Sequence, residues 1–489
     1  MLNSKFFSQR VSRSFIVLLL MLPVLSYAQD GFGFDDSGFG FADTEASGFR
    51  VKIGGLARAE LAVFYDDFDS AERIKNIRLG DIFSGRLDFE ASTQAAEAII
   101  NVKLRPVFDG SSPLEIDEAY LRAYFGNVTL LGGLKKLTWG KADSFGPLDV
   151  VNPLDYTDLT KLIDPESVKI ARPLVHASLS MGTFTKLEAV FVPWFQGHKF
   201  DLSGRWAPGE IKNMAPNLVS GLKTSMSGIN PGLAAFFPSL DNWQNNFQIE
   251  NYYNDKNYTL EYAQGGMRLS STIGSTDFGF QYYFGRHYRP GVTIGIDDYI
   301  LGLQNNPSQS SPDDIAINVI YSYYHQIAAD FAKVIAGFNI RAEAGANLTS
   351  DLDGTDGSVH NHALVWSLGF DRDLFSGINF NLQGGGKFIL FHNKIGDNFI
   401  DDIEAGSSVT STRLTGIVSK KFLRDELETK ATFLWGIEDR DFLFIPALIW
   451  SRNDLKAEAM FGIFGGDREG ELGQYRDSSF FKLCLSYYF

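Results

Sequence analysis

The chain has 489 residues, among them 48 Gly, 42 Phe, 19 Tyr and a single Cys, with a formal net charge of -15. Mean hydropathy is only -0.08, and past the N-terminus no apolar run reaches the ~20 residues that a membrane helix needs. This excludes a helical membrane protein; the aromatic content excludes a disordered chain, and lone Cys484 excludes a disulfide framework or a cysteine zinc cluster.

Residues 1–28 read as an export signal. Lys5, Arg10 and Arg13 precede the apolar run from Phe15 to Leu25, and Ser26-Tyr27-Ala28 supplies a small-residue cleavage site. Cleavage after Ala28 removes only basic charges and leaves the remainder at -18. So acidic a chain disfavours nucleic acid as a partner. Residues 29–49 repeat a Gly-Phe unit with acidic spacers, a composition that cannot fold alone. A flexible periplasmic segment is the simpler reading, and a plug or docking segment with Phe stickers is the other.

From Arg50 the pattern has a period of two. Val51, Ile53, Ala57, Ala59, Leu61 and Val63 alternate with Arg50, Lys52, Arg58 and Glu60, as in a strand with one greasy and one ionic face. The same alternation recurs at 97–105, 338–348 and 378–383. Marking every run predicts eighteen strands, with sixteen as the alternative if a hairpin is miscounted: 50–65, 84–93, 97–107, 116–125, 127–138, 172–182, 184–194, 262–273, 276–287, 315–331, 335–349, 360–371, 377–391, 409–423, 427–438, 441–451, 454–464 and 477–489. Long and short connections alternate between them. The fold class is therefore all-β, a transmembrane antiparallel up-and-down barrel over residues 50–489 with short periplasmic turns and long external loops. A barrel of this size leaves a water-filled lumen.

Polar parity then nominates the lumen wall: Arg50, Lys52, Arg58, Glu60, Arg86, Asp88, Glu90, Lys103, Arg105, Glu118, Arg122, Arg341, Glu343 and Lys387 among others. Basic side chains outnumber acidic ones on that parity. Such a wall either favours anionic solutes or pairs its charges across strands. At the C-terminus Phe481, Leu483, Leu485, Tyr487 and Phe489 alternate to a terminal aromatic. That pattern resembles the last strand of outer-membrane barrels, which the barrel-assembly machinery recognises.

Residues 139–171 are too long for a simple hairpin, and Gly146-Pro147, Asn152-Pro153 and Asp164-Pro165 punctuate them. A short helix is expected over 157–163, with Asp158 near its start. Trp139, Gly140, Asp143, Asp149, Asn152, Pro153 and Asp155, together with the RAEAGA stretch 341–346, resemble an uncharacterised family of porin-like outer-membrane proteins. The resemblance implies a channel over which this loop folds, with no solute named. Folded inward, the loop would form a constriction in which Asp143, Asp149, Asp155, Asp158 and Lys161 meet lumen arginines; an external cap is the alternative. In the 195–261 loop, Phe236, Phe237, Trp243 and Phe247 either line an entry or form the loop's own small core.

Catalysis is not expected. His176 and Ser178 share a face but lack the Asn that follows in outer-membrane phospholipases, and no nucleotide or HExxH motif is present. His360 and His362 are expected in a solvated turn instead of a metal site, and no cofactor is implied. The leading function is a diffusion channel for small solutes in the outer membrane, with lipid as its surroundings. A hydrophobic-compound transporter with a plugged lumen and a structural or adhesive surface barrel are the alternatives. Oligomeric state is not legible.

Overall fold

The computed structural model describes residues 48–489 apart from 69–81, 106–112, 144, 163, 307–310 and 399–401. The proposed export signal and nearly all of the Gly-Phe tract thus lie outside the described residues. Eighteen antiparallel strands form one sheet. They are β1 Arg50–Phe64, β2 Phe83–Ser92, β3 Ala96–Leu104, β4 Leu114–Phe125, β5 Val128–Lys135, β6 Arg172–Met181, β7 Thr185–Val192, β8 Gln264–Ile273 and β9 Thr276–Arg286. The second half comprises β10 Tyr323–Ile335, β11 Phe338–Leu348, β12 Ala363–Asp373, β13 Ile378–Ile389, β14 Thr410–Phe422, β15 Leu427–Gly436, β16 Asp441–Arg452, β17 Leu455–Gly466 and β18 Phe480–Tyr488.

Each strand pairs with its chain neighbours, and β18 pairs back onto β1 from Leu56↔Tyr488 to Phe64↔Phe480. Phe489 extends the seam: its carbonyl accepts from Gly55 N at 2.9 Å and its N–H donates to Gly55 O at 3.2 Å. The barrel is closed and has no free edge.

Two expectations need correction. The strand predicted at 315–331 is divided, because the chain turns at Tyr321-Ser322. Ala316–Ile320 pairs with Gly291–Gly295 in a separate two-stranded sheet, and the wall strand begins at Tyr323. Strict parity also fails in β4. The β3–β4 register slips between Asn101↔Glu118 and Val102↔Ile116, which leaves Asp117 as an extra, bulged residue. Asp117 and Glu118 consequently both find interior lysines, Lys103 at 2.8 Å and Lys135 at 2.9 Å.

The outward parity is an apolar belt. Val51, Phe89, Leu121, Leu130, Val175, Phe191, Phe280, Ile327, Leu368, Val418, Leu448, Phe461, Leu483 and Leu485 are all exposed. Exposed apolar surface on this scale, wrapped around a closed barrel, fits a lipid environment and not water. Four connections at the long-loop end carry most of the remaining structure: 136–171 (L3), 193–263 (L4), 287–322 (L5) and 467–479 (L9). Helices Met214–Ile229 and Phe237–Asn246 of L4 pack with helix Asp297–Asn305 of L5 around buried Leu218, Leu222, Met226, Leu240, Trp243, Tyr299 and Leu303. Phe236, Phe237 and Phe247 pack against this cluster, so the aromatic stretch of L4 builds a core of its own.

The seam generates a test. Deleting Phe489 removes two backbone hydrogen bonds at the point where the last edges are hidden. The heat-modifiable, folded fraction on gels is expected to fall, while barrels that do close keep their properties. Wild-type folding yield after the deletion would show that the terminal contact is dispensable.

Candidate functional site

L3 enters the lumen and crosses it. Its first half lies on the inner wall of β4–β9, where Trp139, Val150 and Val151 pack with Tyr120, Leu131, Leu174, Val190, Val192 and Tyr283. Its later part reaches the wall on the other side of the seam. There Leu159 and Leu162 join Leu434, Leu443, Ile445, Met460, Phe464 and Phe480 of β15–β18, together with Trp206 of L4 and Leu472 and Tyr475 of L9. Toward their long-loop ends these wall strands are apolar on both faces, one toward the belt and one toward the loops. The run DFLFIPALIW at 441–450, in which alternation lapses, is the sequence signal for this docking face.

Between Trp139 and Val150 the loop is fastened to the wall by a carboxylate. Glu343 of β11 is 3% exposed. It accepts from the backbone N–H groups of Lys141, Ala142 (2.8 Å) and Leu148 (3.4 Å). Gly140 makes the approach possible, since its φ is +91° and a Cβ there would sit 2.3 Å from Glu343 Oε1. Gln281 and Gln326 extend the row by donating to the carbonyls of Leu148 at 3.0 Å and Pro147 at 3.1 Å. Asn152 closes the base of the loop: its Oδ1 accepts from Leu137 N at 2.8 Å and its Nδ2 donates to Ile170 O at 2.8 Å.

Among the loop's charged candidates only Asp143 meets a lumen arginine. It pairs with Arg341, which also holds Asp371, and accepts from Asn381 Nδ2 at 2.8 Å. The others are used inside the loops, which corrects the expectation. Asp149 pairs with Lys169 at 2.7 Å, Asp155 lies 3.5 Å from Lys199 of L4, and Asp158 pairs with Lys161 at 2.9 Å. Asp158 also caps the short turn Leu159–Lys161 by accepting from Thr160 N, so the expected helix is present as a single 3₁₀ turn. Burial pushes the Asp149 carboxyl up to about 6 against the pull of Lys169.

On the wall, the nominated charges lie on the interior parity and mostly pair with one another. Lys52 meets Glu90 (3.5 Å), Arg86 meets Asp88 (2.8 Å), Arg105 meets Glu115 (2.8 Å), and Glu60 meets Lys482 (2.8 Å). Arg122 pairs with Glu97, and Arg58 donates to Ser486 Oγ at 3.3 Å. Asp117, Glu115, Asp277 and Asp371 were absent from the sequence-based wall, and each neutralises a cation there. The bulge in β4 hid the first of them. Arg50 and Lys387 make no ion pair or hydrogen bond among the described residues.

A cavity of about 980 Å³ remains beside L3. Asp143 and Phe145 of L3, Tyr156, His198, Trp206, Arg289, Lys387, Arg413 and Glu471 are among the residues that line it. His198 accepts from Leu154 N at 2.9 Å, and burial drives it down to about 3, so it is a neutral acceptor at physiological pH. The histidines singled out from the sequence each have a partner. His176 Nε2 contacts Glu188 at 3.2 Å, and Glu188 also holds Lys186 at 2.8 Å. His360 pairs with Glu404 at 3.1 Å, while His362 Nδ1 accepts from Thr349 N at 3.0 Å. His362 is buried, contrary to the solvated turn expected there. Among the described residues no group of three or more His, Cys, Asp or Glu is arranged to hold a metal.

No family model matches the chain, and no curated protein matches it. Among solved structures it is similar to Salmonella typhi OmpF in complex with daunomycin, at 8% identity and a TM-score of 0.38, over 90% of this chain and 98% of that one. The outer membrane channel DcaP of Acinetobacter baumannii matches at 11% identity and a TM-score of 0.39, over 92% and 99%. A triple mutant of the Rhodopseudomonas blastica porin matches at 11% identity and a TM-score of 0.37, over 90% and 100%.

The Glu343 anchor yields a stability test. Glu343→Ala leaves three loop N–H groups without their acceptor and is expected to cost at least about 2 kcal/mol in urea unfolding of the folded barrel. Glu343→Gln, which keeps an acceptor oxygen, should cost less. Equal midpoints for wild type and Glu343→Ala would mean that the loop is held by its apolar ends alone.

Proposed function

We propose that the protein is a porin-like channel of the outer membrane, through which small solutes diffuse past L3. The observation that carries this reading is the course of L3: it crosses the lumen, docks on two walls, and leaves a charged cavity beside it instead of a filled core. An inward loop with a polar flank sets the size and charge of a passage. The apolar belt supplies the lipid-facing surface, and the N-terminal export pattern and the terminal aromatic strand support delivery to the outer membrane by the barrel-assembly machinery. A capture route for apolar compounds is less well supported, because the L4 aromatics are spent on their own helical core.

Purified protein in planar lipid bilayers is expected to give discrete, stable conductance steps. Replacing 141–166 by a short Gly-Ser link should raise the step by about a factor of two or more, since conductance follows open cross-section. Absence of any conductance from folded wild-type barrels would refute the channel.

Ion preference follows from the pairing on the wall. Because most lumen cations face a carboxylate, reversal potentials in a salt gradient are expected to be small, and smaller still once salt shortens the screening length below ~10 Å. Strong anion preference at high salt would contradict this.

A further inference from the structure

The cavity beside L3 contains a carboxylate that the protein itself supplies. L9 turns inward after β17, and the Asp441 carboxylate at the start of β16 fixes it by accepting from Leu472 N at 2.5 Å and Gly473 N at 3.2 Å. This places Glu471 in the cavity with Oε2 2.6 Å from Arg413 Nη2. Arg413 comes from the wall strand β14, directly across from Gly385 of β13. Two residues further along the same face stands Lys387, exposed and without an ion pair or hydrogen bond among the described residues. Arg289 of L5 lines the same space and pairs with Glu210 of L4. Nε of Arg413 is buried and finds no acceptor.

Three cations of the wall and loops thus converge on a region that a tethered glutamate occupies. The pairing is not a closed, dry salt bridge, because 36% of the Arg413 side chain and 56% of the Glu471 side chain remain accessible. Such a partner is displaceable, since an accessible ion pair is held by little net free energy. A planar guanidinium with spare donors recognises a carboxylate by paired hydrogen bonds. Tyr156, stacked on Phe200 at 5.6 Å, and Trp206 give the same cavity an apolar side.

We propose that Arg413, Lys387 and Arg289 form a binding site for small organic carboxylates inside the lumen, and that Glu471 is a built-in competitor which occupies it until a solute carboxylate takes its place. This deepens the channel reading and rests on it for its route of access. Arg413 is the main determinant, because it holds the occupant that is present. The field of Arg413 keeps Glu471 below the usual carboxylate range, so the competitor stays charged at neutral pH. Glu471→Gln keeps the shape of the occupant and removes its charge.

The test uses full-length protein with benzoate as probe and neutral benzamide as control, read as block of single-channel potassium chloride current. Heat-modifiability on gels establishes folding of each variant. Half-block by benzoate is expected at roughly tenfold lower concentration in Glu471→Gln than in wild type, the change that one displaced charge-assisted contact of ~1.4 kcal/mol would give. Adding Arg413→Gln to Glu471→Gln should abolish that gain, and benzamide should not block. Equal benzoate block in wild type and Glu471→Gln, or block by benzamide as strong as by benzoate, overturns the site. If folded wild type gives no conductance, the channel reading fails instead. Equilibrium dialysis of radiolabelled benzoate against detergent-solubilised protein then decides the site separately, with tighter binding by Glu471→Gln supporting it and equal binding refuting it.

Discussion

The structure depends on closing the backbone hydrogen-bond ladder. A strand whose side chains face hydrocarbon has no water for its N–H and C=O groups, so each must be paired within the protein. The β1–β18 seam is where that requirement is completed, and it is long. It runs from Phe480 opposite Phe64 to the terminal Phe489, whose own N–H and carbonyl are both used on Gly55. With the ladder closed, the inner face becomes a concave wall on which loops can dock without exposing an edge.

Loop docking uses two different forces. Apolar contact holds the far ends, where Leu159 and Leu162 sit on the two-faced strands β15–β18. Carboxylates hold other stretches of the loops. Glu343 gathers three N–H groups of L3, and Asp441 gathers two of L9. In both cases an acid on a rigid strand satisfies the backbone of an irregular segment that has no ladder of its own. The wall therefore specifies the loop conformation, and the loop in turn buries a charge that would be costly alone.

The same economy governs the lumen charges. Lys103, Lys135 and Lys136 share Asp117 and Glu118 across the β4 bulge, and Arg341 bridges Asp143 of L3 to Asp371 of the wall. Around Arg413 the loop carboxylate Glu471 lies in the same cavity as Lys387, which makes no ion pair or hydrogen bond among the described residues.

Sequence alone determined the barrel, because a period of two is a local property that each strand carries in its own residues. Eighteen strands, their outward parity and the terminal aromatic strand were all legible on that basis, and so was the segment 139–171 as a structured loop. Tertiary structure decided what local periodicity cannot encode. Whether L3 points inward depends on a receptor surface far along the chain at Leu434, Leu443 and Ile445. Why Gly140 is glycine depends on Glu343. Which aspartates meet arginines depends on the loop path, so Asp143 reaches Arg341 while Asp149, Asp155 and Asp158 are used by nearer lysines. The bulge at Asp117 slips the register by one residue, and a strict alternation rule must misassign the face of whatever lies beside such a slip.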